Sequence, residues 1–265
     1  MSISLNGLEI DYDESGTGPT LVLVPGSFST GAAWRPVTKR LNGMFRIVTT
    51  SLPGYGGTRE VRDGSKPDID LLAEVVEEVV RTTGSAVHLV GHSFGGCVAV
   101  AVATRGLVKL SGLTLFEANP VDVLRMSDER ELHCAVRGML DAYEAAADDG
   151  MGAVAARVID FWGGAGSFDA LPEAVRGYVA ATAATNALDW RTALGFNADA
   201  AAYRAIDCRA RFVFGSEGHK AAKCMAEVLG NLVPNGKVTE MSGASHFMLA
   251  THPEQTAAII MADMA

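Results

Sequence analysis

The sequence predicts an α/β fold: a mostly parallel central sheet flanked by helices, with a helical cap inserted into it. Three observations carry that expectation. Apolar runs of strand length alternate with helix-length stretches over the first 119 residues. The alternation stops after Pro120, where residues 121–205 turn rich in alanine and hold only helical patterns. It resumes at Ala210 and continues to the end. Strand–helix alternation favours a parallel sheet, and one interruption favours one insertion. The expected division is a core of residues 1–119 and 206–265 and a cap of residues 120–205.

Each element has a local reason. Ser2 to Leu5 and Leu8 to Tyr12 alternate around Asn6-Gly7, a strong hairpin signal. Thr20 to Val24 and Phe45 to Thr49 are continuous apolar runs ending near Pro25-Gly26 and Pro53-Gly54, as suits strands covered on both faces. Between Asp68 and Thr83 the period changes: Leu72, Val75, Val76, Val79 and Val80 recur at three and four residues, with Glu74, Glu77, Glu78 and Arg81 opposite, an amphipathic helix. A strand (Ala86 to Val90), a small-residue helix (Gly95 to Thr104) and a strand (Gly112 to Phe116) follow. The cap carries helical patterns over Glu129–Ala147, Gly152–Trp162 and Leu171–Ala184. After it come a strand (Ala210 to Phe214), a helix (Ala221–Leu229), a strand (Lys237–Met241) and a last helix beyond Pro253.

Composition narrows the function classes. With 265 residues, 48% of them hydrophobic and 20% charged, the chain can bury a sizeable core. Its net charge of −9 and the lack of any Lys/Arg run argue against a nucleic-acid partner. No apolar stretch reaches membrane-span length, so no membrane association is expected. The acidic, alternating start MSISLNGLEIDYDES is unlike a secretory signal, so a cytoplasmic location is expected. Cys97, Cys134, Cys208 and Cys224 form no C-x-x-C pair, so neither a metal site nor a disulfide framework is expected. Oligomeric state is left open.

The chemistry concentrates at Gly91-His92-Ser93-Phe94-Gly95, the one G-x-S-x-G in the chain. Alone the pattern is weak in a sequence with 29 glycines. Its setting strengthens it: it follows a buried strand and opens a helix, where a sharp turn lifts the serine hydroxyl clear of the sheet. Side chains at 91 and 95 would collide with neighbouring backbone in such a turn. The competing reading is an ordinary helix N-cap serine.

With these segments on the page, the chain resembles the α/β-hydrolase superfamily over almost its whole length. The carriers are Val24-Pro25-Gly26-Ser27, Ser51-Leu52-Pro53-Gly54-Tyr55-Gly56, the Ser93 turn, and Gly243-Ala244-Ser245-His246, in the family's order. The resemblance implies a Ser93 nucleophile and His246 as its base. His88, His92, His133, His219 and His252 match no such position. It also implies an oxyanion hole from the backbone N–H groups of Phe94 and Ser27. Two departures touch that loop: Pro25 stands where relatives usually have His, and Ser51 where they often have Asp.

The acid is the departure that matters. Relatives usually carry it as G-x-x-D after the strand here ending at Phe214, but this chain reads Gly215-Ser216-Glu217-Gly218. Two carboxylates compete for the role. Glu117, at the end of the strand after the Ser93 helix, is preferred because a strand end is held rigidly. Glu217, one residue early but longer, is the alternative, and Asp122, or no acid at all, ranks behind both.

A serine in the turn suits acyl transfer rather than the alkyl transfer of relatives with aspartate there. The expected activity is hydrolysis of a small to medium, largely apolar carboxylic ester, with no cofactor and no metal required. Lactones, thioesters and carbon–carbon bonds remain open, as does a non-catalytic ligand-binding protein, for which Gly218 is the main support. Phe28 and the cap aromatics Phe161, Trp162 and Trp190, with Phe168 and Tyr178, are candidate pocket residues, although aromatics at such spacings are more often core.

Overall fold

The computed structural model describes residues 1–41, 43–64, 68–146 and 150–265. The strands are β1 (Ser2–Leu5), β2 (Leu8–Ser15), β3 (Thr20–Val24), β4 (Arg46–Thr50), β5 (Val87–His92), β6 (Leu110–Phe116), β7 (Ala210–Gly215) and β8 (Gly236–Met241). They form one sheet in the order β1-β2-β4-β3-β5-β6-β7-β8. The β1–β2 and β2–β4 pairs are antiparallel, and all later pairs are parallel. The hairpin closes with Leu5 opposite Leu8, so Asn6 and Gly7 alone make its turn, both at positive φ (50° and 84°). That is the backbone a two-residue primed turn needs, and Asn-Gly supplies it cheaply.

Helices cover both faces. On one lie α1 (Arg35–Leu41), α10 (Met248–Thr251) and α11 (Pro253–Met264); on the other lie α2 (Ile69–Thr82), α3 (Phe94–Arg105) and α9 (Lys220–Leu232). Strand β3 shows why its sequence is unbroken apolar. Leu21 and Leu23 join the core packed on α1 and α11, while Val22 and Val24 join the core packed on α2 and α3. All four side chains leave water completely, each contributing about 1.5–3 kcal/mol. Helix α2 buries the predicted stripe Leu72, Val75, Val76, Val79 and Val80, and the Asp68 carboxylate caps it by accepting from the Leu71 N–H at 3.0 Å.

Between β6 and β7 the chain is helical: a 3-10 turn over Val121–Met126, then α4 (Arg130–Ala145), α5 (Met151–Gly163), α6 (Glu173–Ala181), α7 (Ala183–Gly195) and α8 (Ala200–Arg204). The predicted end of the first of these helices, Ala147, lies outside the described residues. The helix expected over Leu171–Ala184 is shorter and ends at Ala181. At its boundary Thr182 takes φ −105°, ψ 14°, and its hydroxyl bonds back to the Tyr178 carbonyl at 2.8 Å, a contact that bends helices. Helix α1 has no counterpart in the sequence reading: seven residues with Val37 and Leu41 buried are too few to establish a period. Among the described residues no helix is long and apolar enough to cross a membrane.

Candidate active site

The turn between β5 and α3 is the site's anchor. Ser93 sits there with φ 54° and ψ −124°, a conformation costing a non-glycine residue about 1–3 kcal/mol. Backbone bonds hold it. Its N–H donates to the Phe116 carbonyl (3.0 Å), and its own carbonyl accepts from the N–H groups of Gly96 (2.9 Å) and Cys97 (3.1 Å). Glycine is required on both sides. A Cβ at Gly91 would lie 2.7 Å from the Gly95 carbonyl oxygen, and one at Gly95 only 2.2 Å from that of Pro25. The Ser93 hydroxyl does not cap α3, which removes the N-cap reading.

The hydroxyl instead meets His246, in the loop between β8 and α10. His246 Nε2 lies 2.9 Å from Ser93 Oγ, and its Nδ1 lies 2.7 Å from Glu117 Oε2, all three residues being buried. Glu117 follows β6 directly. Its backbone is bent to φ 43° and tied by its N–H to the Val213 carbonyl at 2.7 Å. Its second oxygen accepts the Gly215 N–H at 2.9 Å. The carboxylate thus lies over the end of β7, where Gly218 leaves room: a Cβ at 218 would come within 2.2 Å of Glu117 Oε1. Glu117 and a side chain at 218 cannot both be present in this arrangement. Glu217, the alternative, is exposed and makes no contact with His246; its N–H bonds to the Ala244 carbonyl. Asp122 is bonded elsewhere, to the Tyr203 hydroxyl (3.2 Å) and the Ala198 N–H (3.2 Å), and burial pushes its carboxyl up to about 7.

The loop after β3 forms the facing wall. Phe94 is the first residue of α3, so its N–H has no acceptor within the helix. The Ser27 N–H likewise has no acceptor among the described residues. Both residues line the cavity beside Ser93. The loop is stiff for reasons of its own. Phe28 stands at φ 57°, Ser29 Oγ donates to the Gly26 carbonyl (2.7 Å), and Ser51 Oγ accepts the Gly31 N–H (3.3 Å). A buried carboxylate that sequence reasoning missed, Asp189 on α7, reaches down from the cap. It accepts from Ser27 Oγ (2.5 Å), Tyr55 Oη (2.6 Å) and Arg62 (2.6 Å), whose guanidinium also pairs with Glu60.

Above the serine is a cavity of about 490 Å³ with predominantly apolar walls. Of the candidate pocket residues, Phe28, Trp162 and Trp190 line it. Trp162 stacks on the His246 imidazole (5.4 Å between ring centres, 22° between planes) and on Trp190 (6.1 Å, 20°). Phe161 does not line the cavity. Neighbouring residues on a helix point apart, and Phe161 lies against His219 at 4.1 Å while meeting Trp162 edge-on. Phe168 and Tyr178 are also outside the lining.

Two other histidines serve the scaffold. His92 Nε2 donates to the His246 carbonyl at 2.8 Å, and burial pulls its pKa down to about 3, so the ring stays neutral and fixes the His246 loop. His88 bonds to Thr114 Oγ1 (2.7 Å), which donates to Asp263 (2.6 Å) under α11. Its pKa is pulled to about 4, chiefly by burial.

The Alpha/beta hydrolase family model matches residues 21–259. Among curated proteins, a pimeloyl-[acyl-carrier protein] methyl ester esterase of Aeromonas salmonicida is 30% identical over 118 residues, which cover 44% of this chain and 45% of the relative. The match thus spans less than half the length of that relative. Among solved structures, an alpha/beta hydrolase from Sphaerobacter thermophilus superposes with a TM-score of 0.76 at 19% identity, covering 100% of both chains. The enol-lactonase from Burkholderia xenovorans superposes with a TM-score of 0.75 at 17% identity, covering 100% of this chain and 99% of that one. The sheet order, the strained turn and the family match agree: the chain belongs to the alpha/beta hydrolase family.

Proposed function

We propose that the protein is a serine hydrolase acting on a small to medium, largely apolar carboxylic ester through an acyl-enzyme on Ser93. The observation that carries this reading is the unbroken hydrogen-bonded line Ser93–His246–Glu117 at the floor of an apolar cavity. In the proposed reaction His246 Nε2 takes the hydroxyl proton as Ser93 Oγ attacks the ester carbonyl. Glu117 holds the ring with its Nδ1 proton outward and stabilises the imidazolium that forms. The Ser27 and Phe94 N–H groups receive the tetrahedral oxyanion. The imidazolium then gives its proton to the departing alkoxide. A water, deprotonated by the same nitrogen, releases the acid and restores Ser93.

The methyl ester esterase relative supports an ester over other acyl donors, and a lactone would follow the same steps with its leaving alcohol still tethered. The binding-only reading drew its support from Gly218, and that support weakens because the Glu117 carboxylate fills the space beside it.

The test is treatment with a fluorophosphonate, followed by intact mass and peptide mapping. One adduct on Ser93, absent in His246→Ala, is expected. No adduct on a folded protein whose cavity admits a small probe would overturn the hydrolase reading in favour of ligand binding.

A further inference from the structure

The Ser27 N–H belongs to the peptide unit that joins Gly26 to Ser27, and that unit lies directly against the nucleophile. A Cβ at Gly26 would come within 2.9 Å of Ser93 Cβ. A peptide unit is planar and turns only as a whole, with its carbonyl and its N–H pointing opposite ways. Whatever fixes its two ends therefore fixes the direction of the N–H. Two hydroxyls do so here. The Gly26 carbonyl accepts from Ser29 Oγ at 2.7 Å, a bond made within the loop. At the other end Ser27 is tethered by its own hydroxyl, which donates to Asp189 Oδ2 on α7 at 2.5 Å, across 162 residues of sequence.

Asp189 is a rigid anchor. It is only 2% exposed; its Oδ2 also accepts from Tyr55 Oη at 2.6 Å, and its Oδ1 pairs with Arg62 Nη1 at 2.6 Å. The Arg62 side chain is itself buried and braced by Glu60. The Asp189 carboxylate has Arg62 and Tyr55 without Ser27, so the Ser27 bond serves the loop rather than the ion pair. A lone carboxylate so near a developing oxyanion would oppose it, and the permanently charged guanidinium on Oδ1 offsets that field.

We propose that Asp189 is a positioning residue for the reaction: through the Ser27 hydroxyl it holds the Gly26–Ser27 peptide unit with its N–H toward the oxyanion, so that the inserted helix α7 completes the oxyanion hole. The inference rests on the hydrolase reading and adds to it a part played by the inserted helices. The oxyanion exists only during bond making and breaking, so a loosened donor lowers kcat and leaves the binding of the uncharged ester in place. Removing such a donor outright costs about 10²–10³ in kcat. Here the N–H stays on the backbone and loses only its fixed direction, so the expected loss is about tenfold to a hundredfold.

The experiment measures hydrolysis of p-nitrophenyl butyrate and inhibition by butyl trifluoromethyl ketone, with a melting temperature for each protein. Ser93 Oγ adds to the ketone carbonyl as its proton passes to His246, which leaves an oxyanion where the ester would form one. The proteins are wild type, Ser27→Ala, Asp189→Asn, the double variant, and Val79→Ala, which cuts a cavity in the buried stripe of α2 as a destabilised control. Ser27→Ala should lower kcat about tenfold or more, weaken the ketone in proportion to kcat/KM, and keep KM within about threefold. Asp189→Asn should lower kcat in the wild type but by less than about threefold in Ser27→Ala, since both act through one bond. Val79→Ala should lower the melting temperature and keep kcat. If Asp189→Asn fails to fold, Ser27→Ala decides alone, because it leaves the Asp189–Arg62 pair intact. An active wild type with Ser27→Ala within about threefold of it in kcat would overturn the positioning role and spare the hydrolase reading. Losses that multiply in the double variant, or an equal loss of kcat in Val79→Ala, would overturn it too. A wild type with neither turnover nor a fluorophosphonate adduct would overturn the hydrolase reading and the positioning role with it.

Discussion

Replacing Glu117 by glutamine isolates the placement of the acid, the departure from the family's usual arrangement that bears most directly on the chemistry. The substitution keeps the side chain's size and leaves an oxygen to accept the Gly215 N–H. It places either an amide NH₂ or a weaker acceptor against His246 Nδ1, now 2.7 Å from a carboxylate oxygen. With NH₂ there, Nδ1 becomes the acceptor and the proton moves to Nε2, so the ring presents a hydrogen, not a lone pair, to Ser93 Oγ. The same amidation in another serine hydrolase costs about 10⁴ in kcat. At 1.36 kcal/mol per decade that is about 5 kcal/mol of transition-state stabilisation. The assay is kcat/KM for p-nitrophenyl butyrate beside the rate of fluorophosphonate labelling, with circular dichroism to show an unchanged fold. A relocation experiment goes further. Gly218 does not hold a positive φ, so an L side chain is allowed there once Glu117 is gone. Glu117→Ala/Gly218→Asp should therefore recover about 10²-fold over Glu117→Ala, while Gly218→Asp alone should impair the enzyme, since its Cβ would lie 2.2 Å from Glu117 Oε1. A Glu117→Gln protein within tenfold of wild type in both rates would refute the assignment of the acid.

Other perturbations follow from the same geometry. Gly95→Ala drives a methyl into the Pro25 and Val24 carbonyls, at 2.2 and 2.6 Å, and should lower stability by more than about 2 kcal/mol in urea denaturation; an unchanged midpoint would mean the turn can relax. Asp189→Ala leaves the Arg62 guanidinium buried with Glu60 as its remaining carboxylate and should cost about 3–5 kcal/mol. Tyr55→Phe removes one bond to the same carboxylate and should cost about 1.5–3 kcal/mol; a larger loss for Tyr55→Phe than for Asp189→Ala would contradict the network. The His88 pKa falls from 6.5 to about 4 on folding, so native and unfolded chains hold the same protons above pH 6.5, and below it only the unfolded chain gains one. Stability due to His88 is therefore complete above pH 6.5 and falls towards pH 4 by about 3 kcal/mol, with Asp263 opposing the shift and Arg209 and Arg211 favouring it. Denaturation of wild type and His88→Gln at pH 7.5, 5.5 and 4.5 should show a steeper loss of stability on acidification in the wild type, the share due to buried His92 remaining in both.

How far the molecule could be read from its sequence depends on the range of the forces involved. The Asn6-Gly7 hairpin, the two-faced strand β3 and the α2 stripe are local patterns, and local patterns are what a sequence displays. Gly91 and Gly95 were legible for the same reason, because the crowding they relieve is set within one turn. The contact between Glu117 and His246 spans 129 residues, and the choice between Glu117 and Glu217 turns on which carboxylate the sheet delivers to one nitrogen. The sequence favoured Glu117 only through its place at a rigidly held strand end, and the space that Gly218 leaves beside its carboxylate is seen only in the structure. Asp189 gave no signal at all, since a carboxylate among the inserted helices is unremarkable until those helices are seated on the core.

Strain marks the same boundary. Among the described residues, the non-glycine positions at positive φ are Asn6, Phe28, Ser93 and Glu117. Asn6 obeys a local rule, because asparagine tolerates that conformation in a tight hairpin. Phenylalanine, serine and glutamate have no such preference, and each of these three stands just past the carboxyl end of a neighbouring parallel strand: β3, β5 and β6. Tertiary bonds impose their shape, such as Ser93 N–H to the Phe116 carbonyl and Glu117 N–H to that of Val213. Glycine would relax each backbone at once but would take away the pocket wall, the hydroxyl and the carboxylate. The fold accepts strain at points where side chains are brought together, so backbone outliers gathered past the carboxyl ends of central strands point to the candidate site independently of any motif.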